Sequence, residues 1–127
     1  MENCIFCKIA KEGSKHAVWE DDRHLAFLDR SPIRAGHTLV IPKKHTDYLF
    51  DIADAEYADL MLASKKVATL LKEKLHPVRV GVLVEGFGVP HAHIHLIPID
   101  DGGQIDIKYA KTATEDELQK MADIIQG

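Results

Sequence analysis

One seven-residue run restricts the fold more than any other part of the chain: His91-Ala92-His93-Ile94-His95-Leu96-Ile97 alternates imidazoles with apolar side chains. Side chains on a β-strand alternate faces, so the run predicts a strand with His91, His93 and His95 on one side and Ala92, Ile94 and Leu96 on the core side. Packing alone explains three aligned imidazoles poorly, because histidine is only intermediately buried and its ring nitrogens need partners. The polar side is therefore expected to be a site. Val18 to Glu20, His24 to Leu28, Thr38 to Ile41 and Val78 to Val84 read as the neighbouring strands. They are separated by Asp21-Asp22, Ser31 to Gly36 and Gly86-Phe87-Gly88, all turn-forming stretches.

A long helix is expected between the strands. Tyr57, Leu60, Met61, Ser64, Val67, Ala68, Leu71 and Leu75 recur at helical spacing. Asp54 is the expected N-cap, and Pro77 prevents continuation. Thr114 with Glu117 has the form of a capping box and opens a C-terminal helix over about 114–126. Near the start, Cys4 to Ala10 reads as a short helical turn ended at Gly13. Without βαβ alternation, the expected class is α+β: an antiparallel β-sheet meander with one long and one short packed helix. The 127 residues suit a single domain with one site.

Composition narrows the function. At 46% hydrophobic and 28% charged residues the chain has globular character, neither disordered nor fibrous. The net charge is −4 and the basic residues are scattered, so no basic stripe suits a nucleic-acid backbone. No apolar run approaches the roughly 18 residues that span a bilayer, and no leader pattern opens the chain, so a cytoplasmic location is expected. In a reducing compartment Cys4 and Cys7 read as metal ligands or a redox pair rather than a disulfide. The C-x₂-C spacing supplies half of a tetrahedral metal site, whereas a redox pair expects a βαβ context that is missing.

Two chemistries fit the histidines. A neutral imidazole, with a reference pKa of about 6.5, is a nucleophile near neutral pH, and a charged neighbour can hold phosphate oxygens. That combination suits nucleotidyl transfer. The same three rings can instead hold one zinc ion with an open position for water, although no carboxylate lies within the run to act as a base.

These residues resemble those of the histidine triad (HIT) superfamily of nucleotide hydrolases and transferases. The resemblance is carried by His91 to Ile97 together with Cys4-Ile5-Phe6-Cys7-Lys8-Ile9, Leu25-Ala26-Phe27-Leu28-Asp29 and the segment from Gly36 to His45. It implies a compact α+β fold that forms a homodimer through the long helix and the neighbouring strand. It further implies that His93 attacks the α-phosphorus of a purine nucleotide conjugate, forming a covalent nucleotidyl-histidine that water cleaves to release a nucleoside monophosphate. By the same resemblance His95 and His37 lie beside the phosphate. Asp29 takes hydrogen bonds from the ribose, and Ile5, Phe6 and Leu28 wall the base. Cys4, Cys7, His45 and His91 then form a closed structural zinc site. Without the resemblance Asp29 reads as a solvated turn residue and His37 as an exposed one. His16, His24 and His76, which have no visible partner, are expected at the surface.

The chain departs from the family in one place. Many of its nucleoside phosphoramidases carry Asn on the strand before the triad, and Ser or Gln three residues before its first histidine. Here Val84 and Gly88 take those places. Gly88 is expected to let backbone N–H groups approach the phosphate instead. The leaving group stays open among a phosphoramidate, an acyl-adenylate and a dinucleoside polyphosphate. A second reading is a zinc-stabilised nucleotide-binding or adaptor protein with little or no catalysis.

Overall fold

Five antiparallel strands form one sheet: β1 (Ala17–Glu20), β2 (His24–Leu28), β3 (Thr38–Pro42), β4 (Arg79–Leu83) and β5 (Ile94–Ile99). The coordinates are a computed structural model that describes residues 4–127. The sheet order is β1-β2-β3-β5-β4, so the first three strands form a meander and β5 folds back between β3 and β4. Residue type explains the exchange: β5 is almost wholly apolar and buried, while β4 leaves Arg79 and Val82 exposed and takes the edge.

Three helices complete the fold: α1 (Ile5–Glu12), α2 (Asp54–Leu75) and α3 (Glu115–Gln126). None of the described helices is long and apolar enough to cross a membrane. Asp54 is not the cap of α2. Ala53 occupies that position without a side-chain bond, and Asp54 begins the first turn, where a carboxylate still favours the positive end of the helix. The helix ends at His76, which adopts a left-handed conformation before Pro77. The capping box of α3 forms as expected: Glu117 N–H donates to Thr114 Oγ1 (3.1 Å) and Thr114 N–H to Glu117 Oε1 (2.9 Å).

Strand alternation divides the interior into two layers. Leu60, Val67 and Leu71 of α2 and Leu118, Ala122 and Ile125 of α3 cover the face carrying Ala26, Val40, Ile94 and Leu96. On the opposite face α1 covers only part of the sheet, with Phe6 packing on Leu25, Phe27, Leu39 and Ile41. This thinner layer leaves room for a site.

The histidine run is not a strand along its whole length. β5 begins at Ile94, because His91 N–H bonds to the Val89 carbonyl (2.8 Å) and Ala92 N–H to the Thr46 carbonyl (2.6 Å) instead of joining the sheet ladder. At its other end the strand continues through Pro98 to Ile99. β3 pairs with β5 only as far as Leu96, so the N–H that proline lacks removes no bond to that neighbour. His16 and His24 are buried, contrary to expectation, since His16 Nε2 meets Glu115 of α3 (3.1 Å) and His24 Nδ1 meets Asp21 (3.0 Å). His76 is exposed, as expected.

Candidate active site

The turn before β3 delivers His37. Gly36 has φ +90°, which side-chain-bearing residues rarely adopt, and a Cβ there would strike Leu75. His37 is buried rather than exposed, with 2% of its surface accessible. Ile33 N–H donates to His37 Nδ1 (3.0 Å), so the proton of the neutral ring sits on Nε2. That nitrogen lies 2.9 Å from His95 Nδ1 and donates to it, which leaves the proton of His95 on Nε2. Oδ2 of Asp29 stands 3.5 Å from His37 Nε2 and 4.0 Å from His95 Nδ1, while its Oδ1 accepts Ser31 N–H at 2.8 Å. Burial pushes His95 down to about 4, helped by His37 and His93 and opposed by the Asp29 and Glu85 charges. Burial lowers His37 as well, with Asp29 opposing. Both rings are therefore neutral at pH 7.

His93 is held differently. Its Nδ1 donates to the His91 carbonyl oxygen at 2.7 Å, so in the neutral ring Nε2 carries a free electron pair. No hydrogen-bond partner occupies that nitrogen among the described residues. Phe6 meets the ring edge-on with centroids 5.1 Å apart, and the His95 ring centroid lies 4.9 Å away.

His91 belongs to a separate cluster. The donor atoms of Cys4, Cys7, His45 and His91 lie within 4.8 Å of one another. Cys4 Sγ is 3.5 Å from His91 Nδ1, and Cys7 Sγ is 3.3 Å from the same atom and 3.1 Å from His45 Nδ1. A tetrahedral site with zinc-like bond lengths needs sulfur–nitrogen separations of roughly 3.5 Å, so the cluster can hold a metal with little adjustment. His91 Nε2 donates to the Pro42 carbonyl at 2.7 Å, which turns Nδ1 toward the thiols, the usual outer support of a ligating histidine. Burial keeps His91 below its ordinary range and therefore neutral. Without metal, burial and the neighbouring Cys4 thiol push Cys7 up to about 11.

This partition removes the reading of three histidines on one ion. His91 faces the cysteines, His93 is tied to a carbonyl and His95 to His37. Neither candidate metal cluster among the described residues combines the three.

Other expected residues are less uniformly placed. Phe6 lines the site, and Ile5 is half-exposed on α1. Leu28 packs into the α2 layer on the opposite face, whereas Phe27 and Leu39 stand beside Phe6. The signal for Phe27 was available, since it alternates with Leu28 in β2. Gly88 N–H does not point to an open site, because it and Phe87 N–H donate to Glu85 Oε1 at 3.3 and 3.1 Å. Val84 follows β4 and is exposed.

A five-stranded α+β sheet with its histidines divided in this way defines a histidine-triad protein. The chain belongs to the HIT domain family, whose model matches residues 10–102. It is 40% identical over 106 residues to an uncharacterised HIT-like protein of Borreliella burgdorferi, covering 77% of this chain and 76% of that one. Among solved structures it resembles a hypothetical histidine triad nucleotide-binding protein from Sulfolobus tokodaii, with a TM-score of 0.85 and 28% identity, covering 97% and 89% of the two chains. It also resembles a zinc-bound histidine triad family protein from Mycobacterium smegmatis, with a TM-score of 0.83 and 25% identity, covering 98% and 91%.

Proposed function

We propose that this protein is a nucleotide hydrolase that acts at the α-phosphorus of a purine nucleotide conjugate through a covalent intermediate on His93. The observation that carries the reading is the bond from His93 Nδ1 to the His91 carbonyl, which leaves the Nε2 electron pair free. That pair forms the bond to phosphorus while the bond to the leaving group breaks, and the leaving group departs with its electrons and takes up a proton. Water then attacks phosphorus, the electron pair returns to His93, and the proton lost by water balances the one taken up. His95, neutral and carrying its proton on Nε2, donates a hydrogen bond to the phosphate oxygens as charge builds there. His37 acts behind it, and Asp29, held by Ser31 N–H, offers its other oxygen to the ribose. Ile5 and Phe6, with Phe27 and Leu39 behind them, supply the apolar side of the base site.

Zinc is the metal proposed for Cys4, Cys7, His45 and His91, on the strength of two thiolates and two imidazoles in tetrahedral reach. Four protein ligands leave no position for water, so the ion fastens α1 to the segments carrying His45 and His91 and thereby fixes Phe6 against His93. A homodimer is proposed through α2 and β4, because β4 is a sheet edge on which Val82 stands exposed, with Val78 exposed just before it.

The test is incubation with adenosine phosphoramidate while AMP release and intact protein mass are followed. Release with a nucleotidyl adduct, both abolished in His93→Ala, supports the reading. One observation favours the rival binding or adaptor function: Val84 and Gly88 bring no polar side chain, and Glu85 already occupies the Gly88 N–H. Affinity for AMP without any turnover would decide for it.

A further inference from the structure

The geometry points to a leaving-group subsite beside His93 that selects an organic cation: an amine with an aromatic or apolar body and a second, positively charged ammonium group. This inference rests on the hydrolase reading and specifies what that site releases.

A cleft of about 380 Å³ has His93 in its lining, together with side chains from the segment before α2 and the loop after β4. Tyr48, Phe50, Val84 and Phe87 form its apolar part. Phe87 is 93% exposed and Phe50 66%, which is costly for aromatic rings with nothing to cover. Tyr48 meets Phe50 edge-on with centroids 5.6 Å apart, so the two present a shaped wall. The loop carrying Phe87 is held in place, because Glu85 accepts the N–H groups of both Phe87 and Gly88.

Two carboxylates, Asp47 and Glu85, complete the lining, and neither has a cationic partner among the described residues. Aromatic faces joined to unpaired carboxylates are the recognition chemistry of an organic cation. Neither Phe6 nor Asp29 lines this cleft, so it is separate from the proposed base and ribose contacts. In-line displacement sends the leaving group away from His93, and the cleft that His93 borders carries the exposed rings of Phe50 and Phe87. Val84 adds an apolar side chain to the same lining.

The experiment compares three adenosine 5′-phosphoramidates that share the P–N bond: the unsubstituted amide, the N-benzyl amide and the N-[4-(aminomethyl)benzyl] amide, with kcat/KM read from AMP release. The expected order is charged benzyl, then benzyl, then unsubstituted, with about tenfold between the ends. Phe50→Ala combined with Phe87→Ala should narrow that spread to about twofold. Glu85→Gln, which keeps the Oε1 acceptor, and Asp47→Asn should each reduce the advantage of charged over neutral benzyl. Equal rates for all three conjugates overturn the subsite alone, whereas no release from any overturns the hydrolase reading with it. If the double alanine variant leaves the spread intact and instead dissociates a dimer in sedimentation, the rim is a contact between two copies and the subsite is wrong.

Discussion

The carbonyl oxygen of His91 lies 2.7 Å from Nδ1 of His93, so the backbone of one triad residue sets the tautomer of the next. The side chain of His91 meanwhile turns to Cys4 and Cys7. Residues that look equivalent in sequence thus serve through different atoms.

Replacing His93 by alanine is expected to lower AMP release at least about 10³-fold, since no other free imidazole nitrogen lies in its place. Nucleotide affinity should fall much less, and the circular dichroism spectrum should keep its native shape. A variant with more than a tenth of the original activity would show that phosphorus is attacked by something else.

In the proposed mechanism His37 acts through His95. With Ile33 N–H on Nδ1 and His95 on Nε2, the buried ring has no polar atom left to offer substrate. Replacement by glutamine should lower kcat by about 10- to 100-fold with KM nearly unchanged, because the tautomer of His95 is no longer fixed. A selective rise in KM would instead place His37 in contact with the nucleotide.

Much of this arrangement is legible in the sequence, and the exceptions share a physical cause. Helices α2 and α3 announce themselves by helical spacing, by Pro77 and by the Thr114–Glu117 box. The class of sheet follows from its alternating runs. What sequence period does not convey is where a strand joins its ladder: His91 and His93 alternate like strand residues, yet His91 N–H bonds to the Val89 carbonyl and Ala92 N–H to that of Thr46. Leu28 illustrates a related limit, since adjacent apolar residues Phe27 and Leu28 serve opposite layers, and the face of each depends on register with β3. The burial of His16 and His24 comes from distant or turn partners that single-residue composition does not reveal.

Acid should weaken the fold through the same buried rings. An unfolded histidine takes up its proton below about 6.5, but the folded site holds His95 down to about 4, with burial as the main cause. Unfolding therefore binds a proton between those values, and stability present above pH 6.5 is lost as pH falls toward 4. His37, lowered in the same direction, adds to the loss. Urea midpoints measured from pH 7 to pH 4 should reveal a decline of roughly 3 kcal/mol attributable to His95, and the slope should flatten in His95→Asn. An unchanged slope in that variant would mean that other groups carry the acid sensitivity.

Metal removal should act on the fold first and on activity through it. The four donor atoms come from α1, the segment after β3 and the segment before β5. Without a metal Cys7 holds its proton, its thiol pushed up to about 11 by burial and the neighbouring Cys4. Binding must displace that proton, so affinity is expected to strengthen as pH rises and to weaken in acid. Adding zinc to chelator-treated protein in weak buffer should release protons, read with a pH indicator dye. The melting temperature should fall on chelation and recover on zinc addition, and Cys4→Ser should abolish the recovery. AMP release should decline more gently than in His93→Ala, in step with the misplacement of Phe6 and His93. Complete loss of turnover in chelated protein that keeps its native melting temperature would place the metal in the chemistry itself and contradict the assignment of His91 to structure.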